Sequence, residues 1–195
     1  DAYGPGYDVP TSEYSYSEFM KILTLAKSDF SKNGLGTPTM YRAGGWFADE
    51  EILKALQDSG FTIDSSGRAF YTIGDNKVAG PWSLTATTQP YQLNSSNQNI
   101  TDNPNMTLWE VPNNGADSWA FNGKQLISNF NANYAGGING STKVVTYLSH
   151  PQGFAHDVPI LNELFTKISQ YSFNSDSGPL LFTTIDKLPM VSQNR

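Results

Sequence analysis

Between Pro38 and Asp64 the chain fits a short apolar run, a Gly44-Gly45 loop, a helix-patterned stretch and a second apolar run into fewer than thirty residues. That is the spacing of a βαβ unit, whose crossover helix returns the chain so that the two strands lie parallel. Pro38–Tyr41 reads as the first strand and Phe61–Asp64 as the second. Asp49 stands at the N-cap between them, with Glu50 and Glu51 in the first turn favourable to the helix dipole. Ile52, Leu53 and Leu56 share the inner face, Glu50 is spaced to pair with Lys54, and Gly60 is the stop.

The flanking sequence extends this α/β pattern. Ser15 and Glu18 have capping-box spacing, and the helix they open carries Phe19, Ile22, Leu23, Ala26 and Phe30 before Asn33-Gly34 ends it. After Ser65 the helical period disappears. Ala69–Ile73, Trp82–Ala86, Thr107–Val111 and Trp119–Phe121 read as short strands among turns, making 67–142 a loop-rich β region within one domain over 1–195. Gln125–Phe130 reads as a short helix and Lys143–Leu148 as a strand. Asp157 is placed to cap a helix carrying Ile160, Leu161, Leu164, Phe165 and Ile168. Gly178-Pro179 precedes a last expected strand, Leu180–Thr184.

Composition narrows the function classes. The 12 basic and 18 acidic residues leave a net charge of −6 with no basic stripe, so no nucleic-acid partner is expected. Charged residues make up 15% of the chain, against about a quarter in ordinary domains, and Asn, Ser, Thr, Gly and Tyr supply the polar surface. With no cysteine, disulfides and thiolate chemistry are excluded. No apolar run is long enough for a transmembrane segment. Sequons at Asn94, Asn99, Asn105 and Asn139 are candidate glycosylation sites, and three of them cluster in one polar stretch. Chance in an Asn-rich chain also produces such sequons. The expected location is extracellular or at the cell surface. A start at Asp1 without a signal peptide is expected of a processed product or a fragment.

Three residues at the ends of apolar runs are candidates for chemistry. His150, leaving a strand before Pro151, could protonate a leaving group, or merely hydrogen-bond a loop. Arg42 could orient a carboxylate through its planar fork, or close a loop salt bridge. Asp64 could pair with Arg42 or tune a histidine, or form an Asx-turn into Ser65-Ser66. His156 matches no compact metal template with His150 and reads as loop or helix N-terminal structure. Ser65, Ser66 and Ser149 lack a nucleophile elbow. Asp49, Glu50 and Glu51 are helix-start charges, not a glycosidase pair. Trp46 and Trp82, beside glycine or proline loops, are the candidate substrate-binding rings, with core packing the other reading.

Tyr41-Arg-Ala-Gly-Gly-Trp46, Asp49 to Gly60, and Ile63-Asp-Ser-Ser66 resemble the third and fourth motif regions of the polysaccharide deacetylase (NodB-homology) family. Tyr147-Leu-Ser-His-Pro151 is similar to its final histidine motif, and Gly178 to Leu188 to its closing strand. The resemblance implies a distorted (β/α) barrel and a hydrolase that removes acetyl groups from acetylated polysaccharides or glycans. It further implies His150 as general acid, Arg42 orienting the base and Asp64 supporting the site. A divalent metal, usually zinc, would activate water. The family's early Asp-Asp and histidine motifs, which supply the base and metal ligands, are absent from this sequence. The barrel is therefore expected to be incomplete at its N-terminal strands, to be filled by a missing N-terminal segment or a partner chain. A metal is expected only if that segment supplies the ligands. The competing expectation is a non-catalytic extracellular carbohydrate-binding or self-assembling protein that kept the fold.

Overall fold

The computed structural model describes residues 10–69, 72–73, 78–134, 142–171 and 180–188. The chain divides into two compact units: Asp1–Leu84 with Pro90–Val111, and Thr85–Gln89 with Pro112–Arg195.

In the first unit, α1 (Tyr16–Lys32) and α2 (Glu50–Asp58) pack on each other, and β1 (Met40–Tyr41) and β2 (Ile63–Asp64) flank α2 in sequence. The pair β3 (Thr72–Ile73) and β4 (Val78–Ala79) is antiparallel, and Ala69 bridges Leu84. The main sheet has the order β1-β2-β6-β5, where β5 is Tyr91–Gln92 and β6 is Trp109–Glu110. β1, β2 and β6 run parallel, with Tyr41 opposite Asp64 and Asp64 opposite Glu110; β5 is antiparallel to β6. The expected parallel pairing across the α2 crossover is present, in strands shorter than their apolar runs.

Local chemistry sets the helix ends. The Ser15 side chain takes the Glu18 N–H while the Glu18 carboxylate returns to the Ser15 N–H, a complete capping box. Asp49 caps α2 through the Ile52 N–H at 3.1 Å. Both helices close with a glycine at positive φ, Gly34 at +69° and Gly60 at +81°. Phe61 N–H reaches Leu56 O at 3.0 Å and Gly60 N–H reaches Gln57 O at 2.8 Å, the paired bonds of a Schellman motif. Gly60→Ala is expected to cost about 1–2 kcal/mol, because a Cβ is disfavoured at that φ. The nearest atom to such a Cβ would be Lys27 Nζ at 3.9 Å, an ordinary contact, so a clash is not the cause. Urea denaturation checks it; an unchanged midpoint would show that the turn relaxes freely.

Ile52, Leu53, Ala55 and Leu56 are buried as the α2 pattern requires. Two local expectations are corrected. Only Phe19 and Leu23 of α1 are buried, while Ile22 and Phe30 stand on its open side, since α1 meets α2 along a narrow line. Lys54 pairs with Asp58 at 2.6 Å rather than with Glu50, drawn there as Tyr16 also donates to Asp58.

The second unit pairs β7 (Ala116–Asp117) with β8 (Tyr147–Leu148) in parallel, and packs α3 (Gly123–Tyr134) against α4 (Phe154–Ile168). Its core holds Ala116, Leu126, Phe130, Leu164 and Ile168, with Tyr134 and Tyr171 each stacked on Phe130. Gly115 is required because a Cβ would sit 2.6 Å from the Thr146 carbonyl oxygen. Trp119–Phe121 is a turn leading to α3, not a strand: the Ala120 and Phe121 N–H groups both return to Asp117 O. Asp157 does not cap α4. Gly153 holds the N-cap, and Asp157 lies in the first turn with its side chain buried. Residues 181–184 form no strand; Leu180 donates to Tyr171 O at 2.8 Å and a 3-10 turn follows at Ile185–Lys187. Gly178-Pro179 lies outside the described residues. Among the described residues, no helix is long and apolar enough to cross a membrane.

Candidate functional site

In the first unit, the ends of β1, β2 and β6 bring together Arg42, Asp64, Ser65, Ser66 and Glu110. Arg42 donates from Nε to the Ser65 carbonyl at 2.9 Å and from Nη2 to the Ser65 hydroxyl at 2.7 Å. The planar guanidinium thus clamps the loop leaving β2, with Ser65 Oγ donating on to Val111 O. Asp64 accepts the Ser66 N–H at 3.1 Å and the Ser66 hydroxyl at 2.8 Å. The Asx-turn anticipated as one alternative for Asp64 is formed.

Glu110, opposite Asp64 in the sheet, was not a sequence candidate. Both carboxyls are fully buried, with 0% exposure. Glu110 Oε1 accepts the Gly67 N–H at 2.8 Å, while Oε2 has no N–H or O–H donor. Burial pushes the Glu110 carboxyl well above its ordinary value, and the adjacent Asp64 charge and hydrogen bond push it further. Burial also raises Asp64, against hydrogen bonds from Glu110 and Ser66 that favour its charge. Two carboxyls can hydrogen-bond only if one carries a proton, and the opposed influences place it on Glu110. Sealed from solvent, the pair fastens β2 to β6 and offers a substrate no access.

Trp46 and Trp82 also belong to this unit's interior, 6% and 2% exposed. Trp82 donates its indole N–H to Trp46 O at 2.8 Å, and Arg68 lies over the Trp46 ring at 5.4 Å. The rings expected to stack on a substrate are core rings. Glycine and proline neighbours marked the loops but not the direction of the side chains.

The sequons differ in their surroundings. Asn94 is buried and donates to Asn103 O; Asn99 is half-buried and donates to Pro81 O; Asn105 is exposed. Asn139 lies outside the described residues.

His150 belongs to the second unit. Parallel pairing of β7 with β8 sets Asp117 opposite Leu148, so the turn after one strand and the exit of the other lie side by side. His150 Nε2 is 3.0 Å from Asp117 Oδ2; the ring is one-third exposed and the carboxylate only 4%. Asp117 Oδ1 accepts the Trp119 N–H at 2.9 Å, which fixes the carboxylate's rotation. Trp119 stands 59% exposed, edge-on to His150 with centroids 6.3 Å apart. A second pair adjoins it. His156 Nδ1 is 3.0 Å from Asp157 Oδ1, and its ring lies 5.4 Å from Trp119.

The carboxylate seating His150 is therefore Asp117, thirty-three residues away in sequence. Asp117-Ser118-Trp119 follows the polar, turn-like Asn113-Asn114-Gly115, so no apolar run pointed to it, and reading 119–121 as a strand concealed it. An imidazole with one nitrogen on a buried carboxylate and the other free to meet a ligand can hold and deliver a proton at a defined atom. As for a metal, no group of three His, Asp or Glu side chains able to hold one occurs among the described residues. The residues described thus do not make the zinc site implied by the resemblance. Compared with known proteins, the chain matches no family model and no curated sequence.

Proposed function

We propose that this chain is the C-terminal portion of an extracytoplasmic, polysaccharide-deacetylase-like hydrolase built on a distorted (β/α) barrel, in which His150 is the general acid. The observation that carries the reading is the 3.0 Å contact between His150 and the buried Asp117, at the exits of two parallel strands. The ordered motifs around Arg42, Asp64 and His150 support it.

Removing an acetyl group requires attack of water on the carbonyl and departure of a sugar nitrogen or oxygen. That departing atom is a poor leaving group until it is protonated. Asp117 accepts from Nε2 of His150, which directs Nδ1 to the leaving atom and stabilises the imidazolium before transfer. The exposed Trp119 ring lies alongside, suited to the C–H face of a sugar. Arg42 and Asp64 act on this reading as supports for the loop after β2. A divalent metal, if used, takes its ligands from residues beyond those described, in an N-terminal segment or a partner chain.

The test is acetate release by the natively purified protein, its N-terminal segment or partner chain retained, from N-acetylchitooligosaccharides and O-acetylated xylan oligomers, with zinc supplied. Release that disappears in His150→Ala supports the assignment. No release from either substrate class sinks the hydrolase reading and favours a carbohydrate-binding or structural role.

A further inference from the structure

We propose that Asp157 is the positioning residue of the His150 site, and that His156, seated by it, is a second ligand-facing imidazole there. The catalytic part of this inference rests on the hydrolase reading above; the structural part does not.

Asp157 is 1% exposed. Its Oδ2 accepts the backbone N–H of His150 at 3.0 Å, and its Oδ1 meets Nδ1 of His156 at 3.0 Å. One buried group thus ties together the exit of β8 and the first turn of α4. Burial pushes the Asp157 carboxyl up, but the bonds from His156 and His150 lead the influences that outweigh it and hold the group below its ordinary value. A buried charge is costly unless donors converge on it, and here the donors are the backbone of one histidine and the ring of another.

The consequence is at the level of atoms. An ionised carboxylate only accepts, so His156 must carry hydrogen on Nδ1, leaving Nε2 as a lone pair on a half-exposed ring. His150 is the mirror case: hydrogen on Nε2 toward Asp117, Nδ1 left open. Trp119 lies next to both rings, and Gly153 allows it there, since a Cβ would sit 2.8 Å from the indole. Two imidazoles of opposite tautomer beside one exposed indole suit a sugar ring stacked on Trp119. Nε2 of His156 then accepts from a sugar hydroxyl while His150 serves the leaving atom.

Long-range proton–nitrogen NMR of the histidine-labelled protein reads the tautomers directly. The expected result is Nε2–H for His150 and Nδ1–H for His156. Asp157→Asn presents an amide N–H to His156 and should move its hydrogen to Nε2, while Asp117 keeps the His150 tautomer. With N-acetylchitooligosaccharide turnover, Asp157→Asn should lower kcat by up to about a hundredfold, as expected for a misplaced acid, and also raise KM, because Nε2 of His156 can no longer accept. His156→Ala should raise KM alone. A wild-type His156 carrying its hydrogen on Nε2 overturns the proposal, as does an unchanged kcat in Asp157→Asn. If no acetate is released, the hydrolase reading fails while the wild-type tautomers still decide the seating; they do so as well if Asp157→Asn does not fold.

Discussion

Above about pH 5 the first unit is expected to lose up to about 1.4 kcal/mol of stability per pH unit, and Glu110→Gln to lessen that loss to the part due to Asp64. Glu110 and Asp64 face each other on β6 and β2 without solvent, and both carboxyls lie above their ordinary values in the folded chain. A raised folded value means that the native state holds a proton the unfolded chain has released. The stabilisation is complete below the unfolded carboxylate range, near pH 4, and is lost as pH rises through the folded value. Glutamine keeps the shape and can still donate to Asp64, but it has no proton to lose.

The other groups facing the pair are Arg42, Tyr41 and Tyr91. Burial holds the Tyr41 phenol up at about 12, and burial with the nearby carboxyls holds Tyr91 higher still, so neither titrates in this window. Arg42 stays charged throughout. Urea unfolding at a series of pH values, followed through Trp46, Trp82 and Trp109, measures the slope. Equal slopes for wild type and Glu110→Gln would show that the pair holds no shared proton.

The second large effect is catalytic. His150→Ala and Asp117→Asn are each expected to lower acetate release by about 10²–10⁴-fold, the range for a positioned general acid. Alanine removes the proton carrier. Asparagine acts more subtly: its amide N–H offers a donor where the Nε2–H of the imidazolium needs an acceptor, so the doubly protonated ring that donates from Nδ1 loses its support. Asparagine retains Oδ1 for the Trp119 N–H, so the turn survives and the loss reports the ring alone. Variants within twofold of wild type would remove His150 from the reaction.

How much of this was legible beforehand followed the range of the interactions. Ser15 with Glu18, Asp49 with Ile52, and the glycine closures at Gly34 and Gly60 join residues a few positions apart, and the sequence determined them. The α2 apolar face and the parallel β1–β2 pairing came with them, because a short crossover leaves the chain no other return. Tertiary structure alone decided what meets across the sheets. Which carboxylate seats His150 depends on β7 registering with β8, and the partner of Asp64 depends on β6 lying beside β2. The same long-range contacts buried Trp46 and Trp82, left Trp119 exposed, and turned Asp157 from an expected cap into the anchor of two histidines. A side chain's type and spacing limit which bonds it can make; which one it makes depends on what the rest of the chain brings within 3 Å, and no local pattern encodes that.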